Sequence, residues 1–91
     1  MQGFGDIAKM IKEANRYKKQ MATTEVAGEY KGVRVRINGL QEVLSVKIDE
    51  ALLDPRRQRD LEKYIKKAFK KAQKELEKIL RKTINPSDLG F

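Results

Sequence analysis

The chain contains no cysteine and no histidine, which removes disulfides, thiolate and imidazole metal sites and histidine general-base chemistry together. Serine is confined to Ser45 and Ser87, neither beside a base in a recognisable nucleophile motif. Gly3 and Gly5 precede a helix without the remaining spacing of a P-loop or a dinucleotide fingerprint. Asp49 and Glu50 stand just before a cap region and read as turn residues rather than as a catalytic pair. No apolar run approaches the roughly 18 residues that span a bilayer, and Met1-Gln2-Gly3-Phe4-Gly5 lacks the charged and apolar regions of a secretory signal. The expectation is a soluble, unprocessed, non-enzymatic protein with no cofactor, no metal and no small-molecule substrate. A cytosolic home fits the absence of cysteine.

What is present is positive charge. The 91 residues, 10.5 kDa, carry 21 Lys+Arg against 13 Asp+Glu, a formal charge of +8 and a pI of about 9.8. This favours a polyanionic partner, nucleic acid or an anionic membrane; the competing reading is the Lys/Glu-rich surface of a thermophile protein. One domain over residues 1–91 is expected, with a thin core, because a chain of this size buries only a little over ~60% of its unfolded surface.

An amphipathic helix is predicted over about 6–21: Ile7, Met10, Ile11, Ala14, Tyr17 and Met21 recur at three- and four-residue steps behind Asp6 as N-cap. That stripe reads as core. From Thr23 and Thr24 the period changes to two, and three strands follow over about 24–49, separated by Lys31-Gly32 and Asn38-Gly39. The second pair is a strong hairpin signal, since both central residues of a type I′ turn need positive φ. An antiparallel meander in which both loops contain two residues, or the second contains four, puts Val26, Gly28, Tyr30, Val33, Val35, Ile37, Leu44, Val46 and Ile48 on one face. Glu29 then falls opposite Arg34 on the other, with Ala27, Arg36, Ser45 and Lys47 nearby, a face either solvated or turned to a polar partner. Asp54-Pro55 opens a long second helix, about 55–82, whose face is marked by Leu61, Tyr64, Ile65, Ala68, Phe69, Ala72, Leu76, Ile79 and Leu80. Asn85-Pro86 ends it, and a short tail over 83–91 carries Leu89 and Phe91.

The charge is localised. Residues 55–82 hold twelve Lys+Arg and four Asp+Glu, while the rest of the chain holds nine of each. Placed at 100° steps, Lys63, Lys67, Lys70, Lys74, Lys78 and Arg81 oppose the apolar face, flanked by Lys66, Lys71 and Lys82. Many are like-charge neighbours three or four apart, which Glu62 with Lys66 and Glu77 with Arg81 offset only in part. An ordinary solvated helix face is the bland reading. Phosphates would supply the neutralising charge that the ridge lacks, which favours DNA. The first helix adds Lys12, Arg16 and Lys19 as a weaker second bank, beside Lys9 and Lys18.

Several positions together, Gly32-Val33, Val35, Ile37-Asn38-Gly39, Val46-Lys47-Ile48-Asp49, Leu52-Leu53, Leu61-Glu62 and Ala68-Phe69 with Ala72, make about Phe4 to Leu80 resemble the YbaB/EbfC family of bacterial nucleoid-associated proteins. The resemblance implies an α+β fold of N-terminal helix, three-stranded antiparallel meander and long C-terminal helix. It further implies a tweezer-like dimer around double-stranded DNA, a place in the cytoplasm and nucleoid, and links to recombination or gene regulation. The chain departs from the family pattern in three places. The glycine-rich loop near Glu29 to Lys31 is nearly gone, Lys70-Lys71 replaces an Asn-Asp pair, and the C-terminal tail is short. Lys70 and Lys71 therefore rest on the ridge argument alone.

The rival functions are RNA or ribosome association, a protein-interaction module for an acidic partner, and peripheral membrane binding, the last disfavoured because the apolar faces are needed for the core. Single-strand recognition is disfavoured because the six aromatics are scattered and Tyr17, Tyr30, Tyr64 and Phe69 sit on apolar faces, leaving no stacking platform. A homodimer is expected. The second helix, at about 40 Å, outruns strands of about 20 Å and leaves Leu76, Ile79 and Leu80 overhanging, and the meander has two open edges.

Overall fold

The computed structural model describes residues 4–83, in the order α1 (Phe4–Thr23), β1 (Glu25–Tyr30), β2 (Val33–Asn38), β3 (Val43–Ile48), two single 3₁₀ turns (Glu50–Leu52 and Pro55–Arg57) and α2 (Gln58–Thr83). The expected helix end at Asn85-Pro86 and the tail with Leu89 and Phe91 lie outside the described residues. The sheet is an antiparallel meander, β1-β2-β3, as the alternating pattern predicts. The fold is α+β: α2 lies across β1 and β2 and closes the core on the sheet's apolar face.

Local chemistry sets the pairing. Lys31 and Gly32 both have positive φ, +45° and +90°, so the β1–β2 connection is a two-residue type I′ turn. It pairs Val26 with Ile37, Gly28 with Val35 and Tyr30 with Val33. The second connection takes the longer of the two forms the sequence allows, and it departs from the hairpin signal only in its conformation. Asn38-Gly39 is not a type I′ pair; it opens a four-residue loop, 39–42, in which Gln41 has the positive φ, +60°. Asn38 is only 3% exposed and organises that loop. Its Oδ1 accepts from the amides of Leu40 and Glu42, both at 3.0 Å, and its Nδ2 donates to Glu42 Oε1 at 2.8 Å and to the Ala22 carbonyl at 3.4 Å. Gly39 donates to the Met21 carbonyl at 2.8 Å. A Cβ there would stand 2.7 Å from that oxygen, so the glycine serves close approach to α1 rather than turn dihedrals.

The loop also shifts register. Val35 faces Val46 and Arg36 faces Ser45, but Ile37 faces Val43, so Leu44 is the extra residue of a β-bulge. Leu44 was expected on the inner face; Val43 takes its place, because the amide of Asn38 bonds the carbonyl of Glu42 and brings Val43 into line with Ile37.

The core consists of Val26, Val33, Val35 and Ile37 from the sheet, Leu52 from the first 3₁₀ turn, and Ala68, Ala72 and Leu76 from α2. Each large member contributes about 1.5–3 kcal/mol by leaving water. Leu76, expected in the overhang, is 3% exposed and belongs to this core, since α2 runs its length over β1 as far as Val26. The approach is close because the contact residues are small: a Cβ on Gly28 would collide with the Ala68 carbonyl and the Ala72 amide.

The largest departure concerns α1. Its stripe does not enter the core of this chain: Ile7, Met10, Ile11 and Tyr17 are all exposed, Met10 at 68%, and only Met21 is buried. The molecule extends 66 Å along its long axis, more than the roughly 39 Å of a 26-residue helix, and α1 meets the rest mainly at its last turn. The core is too thin to cover two helices. The sheet is likewise covered unevenly, with Val43, Leu44 and Val46 of β3 exposed beyond the edge of α2.

Replacing Gly28 with alanine is expected to cost about 1–3 kcal/mol through overpacking of backbone that cannot retreat. Urea denaturation checks this: the midpoint should fall with the slope unchanged.

Candidate nucleic-acid interface

The path of α2 begins at Asp54. Its carboxylate accepts from the Arg56 amide at 2.9 Å and from the Arg56 guanidinium at 3.2 and 2.9 Å. The Arg56 side-chain bond, then its backbone bond, hold the Asp54 carboxyl below its ordinary value of 3.8. Pro55 starts the 3₁₀ turn that leads into the α-helix, so its missing N–H costs nothing. Beyond this cap the rotation of α2 is set by Ala68 and Ala72 against Gly28.

With that rotation Lys63, Lys66, Lys67, Lys70, Lys71, Lys74, Lys78, Arg81 and Lys82 are all exposed along one helix. The ridge is not uniform. Lys78 pairs with Glu75 at 3.1 Å and Arg81 with Glu77 at 4.0 Å, so its C-terminal third is partly neutralised. The Glu62–Lys66 pair suggested by spacing does not form; Glu62 accepts from Gln58 instead, at 3.2 Å. Among the described residues, none of Lys63, Lys66, Lys67, Lys70, Lys71 and Lys74 forms an ion pair, so the free positive charge lies in the first two thirds of α2. Lys12, Arg16 and Lys19 are exposed on α1, which is a separate arm rather than a neighbour of the ridge. The outer face of the sheet is charged and mostly paired, with Arg34–Glu29 at 4.0 Å and Arg36–Glu25 at 3.6 Å, and Lys47, opposite Arg34, without an ion pair among the described residues.

Two aromatics that look scattered in the sequence meet here. Tyr30, at the end of β1, and Tyr64, on α2, form an edge-to-face pair with centroids 5.4 Å apart and planes at 67°. Lys67, Lys71 and Lys31 stand 4.9, 5.2 and 5.5 Å from the Tyr30 centroid. Lys67 Nζ donates to the Tyr30 hydroxyl at 3.4 Å. That bond, with the charges of Lys31, Lys67 and Lys63 and against some desolvation, holds the Tyr30 phenol below its ordinary value of 10.0. Sequence reasoning missed Tyr30 and Lys31. The available signal was that a two-residue turn places Lys31 directly beyond the aromatic end of β1.

An absorbance titration of the phenols should therefore show Tyr30 ionising before its usual range. Lys67→Met should move that step back toward 10.0; an unchanged profile would mean the ammonium does not act on the ring.

This charge distribution suits a polyanionic partner. Among the described residues no His, Cys, Asp and Glu group could hold a metal, and no helix is long and apolar enough to cross a membrane. In the crystal structure of uncharacterized protein HP0035 from Helicobacter pylori the fold recurs, with 25% identity, 93% of this chain and 90% of that chain covered, and a TM-score of 0.70. No curated protein matches significantly. The YbaB/EbfC DNA-binding family matches residues 1–90, spanning both helices and the sheet between them. On that match and the shared architecture, the chain belongs to the YbaB/EbfC DNA-binding family.

Proposed function

We propose that the protein binds double-stranded DNA as a homodimer, with little sequence preference, as a nucleoid-associated protein of the cytoplasm, and that residues 1–91 act as one domain. The observation that carries the reading is the run of exposed, unpaired lysines over the first two thirds of α2 in a member of a DNA-binding family. Lys63, Lys66, Lys67, Lys70, Lys71 and Lys74 are the principal phosphate contacts, Lys78, Arg81 and Lys82 weaker ones, and Lys12, Arg16 and Lys19 a second bank. Binding is non-catalytic and needs no cofactor. Lysine is a point charge without the fork that reads base edges, and Gln58 and Gln73 are the only amides of α2. Gln73 is engaged with Gln41 at 2.9 Å. Contacts to phosphate therefore dominate and sequence matters little.

The dimer is supported by apolar surface that one chain leaves uncovered. The α1 stripe is exposed, Leu53 is 64% exposed, and Val43, Val46, Ile65 and Phe69, together with Lys66, line a groove between β3 and α2. Patches of this kind mark association surfaces. A second copy, bringing the same patches, covers them with apolar surface of its own.

Analytical ultracentrifugation at micromolar concentration should give a dimer, and Val46→Asp should shift it toward monomer; a well-folded wild-type monomer would end the dimer reading. If six to ten charges of the dimer engage phosphates, duplex affinity should fall by roughly 10³ to 10⁵ between 50 and 200 mM salt. Substituting Lys67, Lys70 and Lys74 together by glutamine should weaken binding to all duplexes about equally and flatten the salt slope, with circular dichroism unchanged. Competition with duplex RNA and single strands separates this reading from an RNA-directed one, which would show RNA displacing DNA at lower concentration.

A further inference from the structure

We propose that the β1–β2 turn and the first half of α2 form a phosphate seat, in which Lys31, Lys67 and Lys71 stand around the Tyr30 ring, Lys63 lies one helical turn before Lys67, and the Tyr30 hydroxyl donates its hydrogen to a phosphate oxygen. This rests on the DNA-binding reading and makes the turn, as well as the helices, a DNA-contacting element.

The geometry is that of a cation ring around one phenol. Lys67 and Lys71 come from successive turns of α2, and Lys31 comes from the turn, with its ammonium 5.5 Å from the centroids of both Tyr30 and Tyr64. Among the described residues none of the four lysines pairs with a carboxylate. Glu29, the nearest acid along β1, is engaged with Arg34 on the other face of the sheet. The electron-rich ring faces offset the mutual repulsion of these ammoniums only weakly in water, so a compact anion entering the ring is favoured by all of them at once.

The phenol is correctly poised for that anion. It accepts from Lys67, which leaves its own hydrogen free to donate outward. Turn chemistry does not account for Lys31: at φ +45° asparagine or glycine is the favoured residue, and lysine is there despite that preference. The tyrosine pair is edge-to-face, half-buried and fringed by lysines, so it offers no open face on which a base could stack. The ligand chemistry is therefore phosphate, either the DNA backbone or a free phosphate.

Two variants and two ligands test this. Lys31→Asn removes the charge and keeps a residue that tolerates positive φ, so the turn survives. Tyr30→Phe keeps the ring and removes only the hydroxyl. In fluorescence anisotropy with a duplex, Lys31→Asn should weaken binding about threefold to tenfold and lower the salt slope by about one per seat engaged. Tyr30→Phe should weaken it about threefold or more with the slope unchanged, because no charge is lost. In parallel, amide NMR of the wild type with inorganic phosphate should shift Lys31 and Gly32. If duplex binding is intact in both variants yet lost in the Lys67, Lys70, Lys74 triple variant, the seat is overturned and the DNA reading stands. If the wild type binds no duplex but inorganic phosphate shifts Lys31 and Gly32, the DNA reading fails and the seat stands with a soluble phosphate as ligand. No response to either ligand overturns both.

Discussion

The close approach of α2 to β1 at Gly28 governs the rest of the molecule. With no side chain at Gly28 and only methyl groups at Ala68 and Ala72, the helix settles against the strand backbone. Because Ala68 and Ala72 must face the sheet at Gly28, the rotation of α2 about its axis is set. That rotation turns Lys63, Lys70 and Lys74 away from the core and brings Lys67 and Lys71 to the side where β1 ends in Tyr30. A packing constraint among the smallest side chains thus decides where the largest charges stand.

The same contact limits what one chain can bury. A helix seated on β1 and β2 leaves β3 uncovered, and the sheet's apolar face has no room for α1 as well. What results is a small core with apolar surface on two sides of it, on α1 and on the β3 groove. Uncovered apolar surface of this kind is the ground on which the proposed dimer rests.

Electrostatics follows the same division of labour. The outer sheet face carries both signs, mostly in cross-strand pairs. The end of α2 pairs Lys78 and Arg81 with nearby glutamates. A contiguous stretch from Lys63 to Lys74 with the Lys31 turn, and Lys12, Arg16 and Lys19 on α1, remain without ion pairs among the described residues, so unneutralised positive charge lies on both helices.

The order of elements, the antiparallel meander and the basic character of α2 are legible in the sequence, because periods of two and 3.6 and the Asp54-Pro55 cap are local features read within a few residues. So is the inner-face pairing of Val26, Val33, Val35 and Ile37, which a two-residue turn dictates. Tertiary structure decided the rest. Asn38-Gly39 carries a hairpin signal, yet Asn38 is spent on an amide network with Leu40 and Glu42 of its own loop, and Gly39 on contact with Met21, which requires α1 to arrive at that point. The Leu44 bulge is a consequence of that loop. The α1 stripe has the spacing of a core helix, but periodicity says only that a face is apolar and not which surface covers it. The meeting of Tyr30 with Tyr64, and of Lys31 with Lys67 and Lys71, joins residues more than thirty positions apart, and no local pattern encodes such a distance.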